Sequence, residues 1–206
     1  MRITAVSATF NSRDTIWRSL SSLAAQDVPV TLMLFDSGSK DGTEWWITTA
    51  RFRSDLGNLG LHTLRLLPPI PDKVLFEGRA RKNKAIEHQL AKVAWECSQN
   101  PPDAILWLQP DVTMPNGGLQ KMVDAMEDDS HLGGVGIKHR AEVDHVRMGC
   151  ALYRWEPFAK LAELGFFSQG CPCRWIHQTM EKDGWTLRNL DDVEGTHIEE
   201  GASECQ

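Results

Sequence analysis

A strand, a turn and a helix follow one another around Asp36, and this order constrains the fold more than any other stretch. The apolar run Leu32–Phe35 stops at Asp36, and the small residues Ser37–Ser39 that follow favour a turn. Asp41 or Thr43 can cap the helix that comes next. In open α/β sheets, ligands bind beyond the carboxyl ends of strands, so Asp36 is predicted to face a ligand. The amides at the start of the helix favour a phosphate or a carboxylate there.

The rest of the chain alternates apolar runs with amphipathic helical patterns. This alternation predicts an α/β fold with a mostly parallel central sheet, right-handed crossovers and flanking helices. The predicted strands begin at Ile3 and after Val28-Pro29, and continue with Leu61–Leu67, which Pro68–Pro71 ends, Ala104–Leu108, Val135–Lys138 and Met148–Tyr153. The predicted helices are Asp14–Gln26, Glu44–Arg53, a long helix from Gly78, a helix marked by Leu119 and Met126, and Glu156–Leu164.

The length and the charge of the chain argue against several classes of function. The 206 residues suit one domain, and 22 basic against 28 acidic residues give a formal net charge of -6. That balance predicts no general attraction to nucleic acid or to anionic lipid. We expect a cytoplasmic protein, because the chain shows neither a membrane-spanning apolar run nor a signal-peptide pattern. The five cysteines are an odd number at irregular spacing, which favours reduced thiols over a disulfide framework.

Two motifs in the first quarter of the chain together resemble a known family. The first strand ends in Thr9-Phe10-Asn11, and the second motif supplies Asp36, Gly38, Ser39 and Asp41-Gly42-Thr43. This order and spacing resemble the amino-terminal half of the family 2 glycosyltransferases of the GT-A fold. The resemblance implies a single GT-A domain that transfers a sugar from a nucleotide-diphosphate sugar to an acceptor hydroxyl, with inversion of configuration.

The resemblance also divides the domain. It implies a nucleotide-sugar and metal half over residues 1–140 and an acceptor half over 141–198, and the small polar residues 199–206 predict a frayed tail. The expected acceptor is a protein or a glycan. Residues implied to bind the nucleotide are Thr9, Asn11, Asp36, Ser37, Gly38, Arg81 and Asn83.

Arg81 has two interpretations. At the amino end of the long helix, its guanidinium could pair with a phosphate, assisted by the helix dipole. Alternatively, the basic segment around it is a solvated helix start, since arginine and lysine are commonly exposed.

The resemblance implies a divalent metal ion, Mn²⁺ or Mg²⁺. The segment Gln109-Pro110-Asp111 occupies the place of the family's Asp-x-Asp motif, with a neutral residue at the first position and the metal-binding carboxylate at Asp111. A histidine that follows the turn Gly184-Trp185 and a strand is often a further ligand, and His197 fits this arrangement. Imidazole suits Mn²⁺ better than Mg²⁺, so the pair favours manganese.

The catalytic base departs from the family pattern. The acidic pair of inverting members would fall on Pro172-Cys173, and neither side chain suits general-base work on an oxygen. His177 is our candidate base because its unperturbed pKa suits proton transfer near neutrality. The alternatives from the sequence are Glu181, Asp183, Asp144 and His145. The loss of the acidic pair also raises a second hypothesis, a nucleotide-sugar-binding protein of weakened or absent activity.

Two further residue sets have structural as well as functional interpretations. Cys171, Cys173 and His177 form Cys-x-Cys-x3-His, a possible zinc set with Cys150 as a fourth ligand, although structural zinc sites usually show Cys-x2-Cys. The tryptophans of the first two thirds lie in helical or strand patterns and are predicted to pack in the core, whereas those of the last third could stack on a sugar. The first group is Trp17, Trp45, Trp46, Trp95 and Trp107; the second is Trp155, Trp175 and Trp185.

Overall fold

The computed structural model describes residues 1–49, 63–67, 78–138, 145–164 and 171–198. For residues 63–67, 78–85 and 162 it describes the backbone. Several expectations therefore lie outside the described residues. They are the start of the strand predicted from Leu61, the Pro68–Pro71 loop, the alternative base Asp144 and the tail 199–206. The helix predicted over Glu44–Arg53 is shorter than expected: it ends at Thr48, and Thr49 after it is extended, with φ -71° and ψ 151°.

Strands and helices alternate from β1 to β4 as the sequence predicts, whereas later in the chain some strands and helices follow one of their own kind. The strands are β1 Ile3–Thr9, β2 Val30–Asp36, β3 Thr63–Leu67, β4 Ala104–Leu108, β5 Val112–Thr113, β6 Leu132–Lys138, β7 Cys150–Arg154, β8 Thr186–Glu194 and β9 Thr196–His197. The helices are α1 Ile16–Ala24, α2 Thr43–Thr48, α3 Gly78–Ser98, α4 Gly118–Asp128, α5 Trp155–Leu164 and α6 Pro172–Lys182.

Seven of these strands form one sheet, in the order β3-β2-β1-β4-β7-β6-β8. β1 pairs in parallel with both β2 and β4, and β6 pairs in parallel with β8. β7 is antiparallel to both of its neighbours. The predicted α/β fold with a mostly parallel sheet is confirmed, and a separate antiparallel ribbon joins β5 to β9.

The sheet is covered on both faces, which explains why its central strands are almost continuously apolar. In β2, Leu32 and Leu34 point into one core with α1 and α4, while Met33 and Phe35 point into the other with α3, α5 and α6. This alternation follows from the two-residue period of a strand. Among the helices of the described residues, none combines the length and the apolar character needed to cross a bilayer.

The tryptophan prediction holds only in part. Trp107 is 3% exposed in the core, as predicted. Trp45 and Trp95 are instead 69% and 67% exposed, and Trp17 is also on the surface, where it meets Trp46 edge to face. The helical pattern was correct, but it did not fix which side of each helix faces the sheet, because smaller apolar residues such as Ile47 and Val93 cover the core instead.

Candidate active site at the carboxyl edge of the sheet

The candidate site lies where three parallel strands end together. β1 lies between β2 and β4, and the chain passes from β3 on one side of β1 to β4 on the other. The strand order therefore reverses between β1 and β4, which is where open α/β sheets form a ligand crevice at the carboxyl edge. Asp36 ends β2 and Asp111 follows β4, so both carboxylates lie near this edge.

Asp36 organises the loop that follows β2. Its Oδ1 accepts hydrogen bonds from the hydroxyls of Thr9 (3.0 Å) and Ser39 (2.5 Å), and its Oδ2 accepts from the backbone amides of Gly38 (3.0 Å) and Ser39 (2.8 Å). A carboxylate offers about four acceptor positions, and here the protein itself fills four. Asp36 is also only 4% exposed. Direct contact with a nucleotide would therefore have to replace one of these bonds.

Hydrogen bonds join the loop after β1 to the loop after β2. The amide of Asn11 donates to Ser39 Oγ at 2.8 Å, and Asn11 Oδ1 accepts from the amide of Lys40 at 2.8 Å. The amide of Ser12 donates to Thr43 Oγ1 at 2.9 Å. Asn11 is exposed and adopts a left-handed conformation with φ 50°, which asparagine tolerates better than most residues. The two sequence motifs thus form one continuous surface.

Asp41 fixes the start of α2. Its carboxylate accepts from the amide of Thr43 (2.9 Å), the hydroxyl of Thr43 (2.6 Å) and the amide of Arg13 (3.1 Å). Partial burial by itself raises the pKa of Asp41, but the hydrogen bonds from Thr43 and Arg13 outweigh it and hold that pKa below its ordinary value. Neither residue predicted as the cap is the N-cap: Gly42 holds that position, and Asp41 stabilises the start of α2 from the residue before it, through the amide of Thr43. Gly38 and Gly42, with φ of 81° and 91°, permit the turns on either side.

α3 reaches the same loop through a residue that the sequence did not single out. Gln89 is 4% exposed, and its Nε2 donates to Ser37 Oγ at 3.2 Å. The amide of Ser37 donates to the carbonyl of Thr9 at 2.9 Å. A glutamine on a helix gives no sequence signal of such a contact. Arg81 and Asn83 lie near the amino end of the same helix, and their side chains are outside the described part of the structure.

The two predicted metal ligands come together. Val112 of β5 is paired with His197 of β9, and the amide of Ile198 donates to the carbonyl of Asp111 at 2.7 Å. This ribbon brings His197 Nε2 to 3.1 Å from Asp111 Oδ2. The side chains are 12% and 28% exposed, respectively. Asp111 and His197, which are far apart in the sequence, therefore lie together beside the edge where the strand order reverses between β1 and β4.

This spacing fits a shared divalent cation. For ligand bonds of about 2.1 Å, two adjacent ligands of an octahedral ion are about 3.0 Å apart. One carboxylate oxygen and one imidazole nitrogen form a donor set that suits Mn²⁺. Gln109, the neutral residue of the motif, is held by its backbone, since its amide donates to the carbonyl of Gly149 (2.8 Å) and its carbonyl accepts from Ser19 Oγ (2.9 Å).

Gly195 allows the chain just before His197 to pack closely against Thr113 and Ile137, so a larger residue there should disturb the position of His197. A β-carbon at Gly195 would lie 2.6 Å from both the carbonyl oxygen of Thr113 and Cδ1 of Ile137. We expect Gly195→Ala to lower the free energy of unfolding by about 1–3 kcal/mol through overpacking. It should also weaken Mn²⁺ binding about 10-fold or more by displacing His197, the predicted ligand. Denaturant unfolding and Mn²⁺ titration measure both; exposed Thr196→Ala is the control, and unchanged metal affinity in Gly195→Ala would contradict the assignment.

The region expected to hold the catalytic base is built differently from the family pattern. Pro172 is the first residue of α6, and Cys173 is buried with its Sγ accepting from the amide of Met148 at 3.3 Å. His177 Nδ1 accepts from the amide of Val146 at 3.2 Å, while its Nε2 lies 3.2 Å from Glu181 Oε1. Both ring nitrogens of His177 therefore have partners within the protein.

A cluster of sulfur and nitrogen atoms lies beside this helix, and it differs from the predicted zinc set. The possible ligand atoms of His145, Cys171 and Cys173 all lie within 4.8 Å of one another, with His145 Nε2 at 3.5 Å from Cys171 Sγ. Cys150 packs in the core on the opposite face of the sheet from Cys173. The pattern Cys-x-Cys-x3-His thus paired the two cysteines with the wrong histidine, because His145 approaches from a different segment of the chain.

Comparison with solved structures identifies the fold. A mannosyltransferase from Pyrobaculum calidifontis, solved with GDP-mannose and Mn²⁺, aligns over 96% of this chain and 56% of its own length, with a TM-score of 0.74 and 18% identity. TarS 1–349 of S. aureus with UDP aligns over 95% of this chain and 60% of its own, with a TM-score of 0.59 and 18% identity. Glucosyl-3-phosphoglycerate synthase from Mycobacterium tuberculosis with Mn²⁺ and UDP-glucose aligns over 98% and 72%, with a TM-score of 0.59 and 16% identity.

The chain therefore has the GT-A fold of these nucleotide-sugar-dependent glycosyltransferases, as the sequence predicted. It spans little more than half the length of the first two of those proteins. No protein-family model and no curated protein sequence matches it.

Proposed function

We propose that the protein transfers a sugar from a nucleotide-diphosphate sugar to an acceptor hydroxyl with the help of a divalent metal ion. The observation that carries this proposal is the pairing of Asp111 with His197 at 3.1 Å, beside the strand ends where the fold forms its ligand crevice. The structural neighbours solved with Mn²⁺ and a nucleotide sugar support it.

In this proposal the nucleotide lies against the surface formed by the loops after β1 and β2. Thr9, Asp36 and Ser37 are almost fully buried and hydrogen-bonded, so they hold the shape of that surface before a ligand arrives. Exposed Asn11 and the half-buried Gly38 remain the residues of this set best placed for contact. Such preorganisation lowers the entropic cost of binding, because fewer groups have to be ordered when the nucleotide arrives.

Asp111 and His197 would hold the divalent metal ion. A bound Mn²⁺ or Mg²⁺ supplies positive charge that neutralises the departing diphosphate. Asp111 would supply a hard oxygen ligand and His197 Nε2 an imidazole nitrogen, a donor set that suits Mn²⁺. The guanidinium of Arg81, at the start of α3, is the proposed second countercharge.

The acceptor hydroxyl must lose its proton to a base. His177 stays the candidate, but its Nδ1 lone pair accepts the amide of Val146 and its Nε2 faces Glu181. In this arrangement the neutral ring carries its proton on Nε2, so accepting another proton requires the Val146 contact to open. A His177→Gln variant that keeps the wild-type turnover would remove His177 from this role.

The deciding experiment is a ligand screen followed by a turnover assay. Purified protein is heated with UDP, GDP, dTDP or CDP and their common sugars, each with and without Mn²⁺. A ligand at 100 times its dissociation constant stabilises the folded state by about 2.7 kcal/mol, which is a visible shift. We expect a metal-dependent shift for one nucleotide family, followed by release of that nucleoside diphosphate from its sugar in the presence of acceptors.

The same experiment separates the second hypothesis. A metal-dependent shift without any release of nucleoside diphosphate would favour a binding protein, consistent with the buried Cys173 where the family has an acid. No shift with any nucleotide would contradict both functions.

A further inference from the structure

We propose a second metal site, for Zn²⁺ or a similarly soft cation, formed by His145 Nε2, Cys171 Sγ and Cys173 Sγ. It is separate from the proposed Asp111–His197 site, and it does not depend on glycosyl transfer. The three ligand atoms lie within 4.8 Å of one another although they come from two segments, the stretch before β7 and the start of α6.

The distances suit tetrahedral coordination. With bonds of about 2.3 Å to sulfur and about 2.0 Å to nitrogen, a tetrahedral zinc ion separates its ligand atoms by about 3.5 to 3.8 Å. His145 Nε2 and Cys171 Sγ already lie 3.5 Å apart, and the remaining separations need a contraction of no more than about 1 Å. Three protein ligands leave a fourth position for water or another donor.

The surroundings favour the thiolate forms that a metal requires. Cys171 is the N-cap of α6 and Cys173 lies in its first turn, where the helix dipole stabilises negative charge. The amide of Met148 donates to Cys173 Sγ at 3.3 Å, as an outer-shell hydrogen bond to a metal-bound sulfur would.

Burial makes a cation at this cluster still more favourable. His145 is 3% exposed and Cys173 is 8% exposed, so two adjacent thiolates here would be costly without a positive charge between them. The environment is apolar, since Cys173 packs in the same core as the fully buried Tyr153. Two sulfurs and one imidazole form a soft donor set, unlike the oxygen-containing pair at Asp111.

The structure also excludes the other ligand sets considered from the sequence. His177 already uses Nδ1 to accept the amide of Val146, and it is not part of the cluster within the described residues. Cys150 points to the opposite face of the sheet. A metal at the proposed site would join the stretch that leads into β7 to the start of α6.

The test is metal binding by the whole purified chain under reducing conditions, using Co²⁺ as the probe and elemental analysis for zinc. We expect one zinc per chain as purified and, after exchange, a sulfur-to-cobalt charge-transfer band. His145→Gln, Cys171→Ser and Cys173→Ser should each lose the band or bind Co²⁺ at least about 100-fold more weakly, since even outer-shell changes cost 10- to 100-fold.

Matched controls distinguish the ligand sets. Cys150→Ala removes a buried thiol on the other face and should leave the band unchanged, and His177→Gln should keep it. Asp111→Asn should also keep the band, which makes the result independent of the proposed glycosyl transfer. A band that persists in both cysteine variants, or that disappears in Cys150→Ala, would overturn the assignment.

A measurement on the wild-type protein covers the case in which a variant fails to fold. Zinc should slow alkylation of Cys171 and Cys173 by iodoacetamide at least about 10-fold, and a chelator should restore it, while Cys97 on α3 reacts equally in both conditions. Mass spectrometry of the peptides gives the rate at each cysteine. Equal rates with and without zinc, together with a metal-free protein, would contradict the proposal.

Discussion

Asp111→Asn is expected to lower the rate of sugar transfer about 1,000-fold while leaving the fold intact. The carboxylate is the oxygen ligand of the proposed metal, and removing one group that stabilises charge in the transition state typically costs 10²–10³ in rate. Asparagine keeps the shape of the side chain and can still accept a hydrogen bond from His197, so the ribbon between β5 and β9 should remain. Steady-state release of nucleoside diphosphate measures the loss.

Two comparisons make this result specific. Asp192→Asn is the matched control, because Asp192 is exposed on β8 and pairs with Lys121 rather than with the site. It should leave the transfer rate and the Mn²⁺ dependence unchanged. Raising Mn²⁺ should recover part of the activity of Asp111→Asn, since His197 still contributes one ligand. Wild-type turnover in Asp111→Asn at limiting Mn²⁺ would refute the metal assignment.

Asp36→Ala is expected to lower the free energy of unfolding by about 3 kcal/mol, the largest effect on stability among our predictions. The alanine leaves the amides of Gly38 and Ser39 without their acceptor in a half-buried loop, and each stranded donor costs about 1–3 kcal/mol. Denaturant unfolding followed by circular dichroism measures the difference. The binding of nucleotide should fall as well, because the loop that Asp36 organises is part of the proposed pocket.

Asp36→Asn separates hydrogen bonding from charge. An asparagine can place its carbonyl oxygen toward the two amides, while its NH₂ group faces the hydroxyls of Thr9 and Ser39, which accept as well as donate. Thr9 Oγ1 can then donate to the carbonyl of Phe35, 2.9 Å away. We expect a loss of about 1 kcal/mol. Exposed Asp27→Ala is the control, and a loss in Asp36→Asn as large as in Asp36→Ala would show that charge matters more than the acceptor geometry.

The fold was predictable because local patterns and turn chemistry agreed along the chain. Strands with two buried faces produce continuous apolar runs, and residues such as Gly38 and Asp41 mark the turns that follow them. The ends of helices were less accurate. The first helix was predicted over Asp14–Gln26 and is Ile16–Ala24, because the residues at its ends make turn contacts instead of continuing the helix.

The candidate site was predictable where it depends on strand ends and less so where it depends on distant contacts. Asp111 and His197 were chosen from motif order, and the structure brings them together. Gln89 and His145 were harder, since nothing in their local sequence indicates what they touch. His145 contacts Cys171 only because the fold brings together two segments that are 26 residues apart in the sequence.

The ribbon between β5 and β9 has a consequence for how the molecule folds. It connects the middle of the chain to its last described strand, so everything from α4 to β8 lies within one closed loop. An ion held by Asp111 and His197 would act as a reversible cross-link across that loop. The free energy of binding the ion would offset the entropy lost when the loop closes. Metal loading and completion of the carboxyl-terminal half would then be a single cooperative event, detectable as one shared transition on heating.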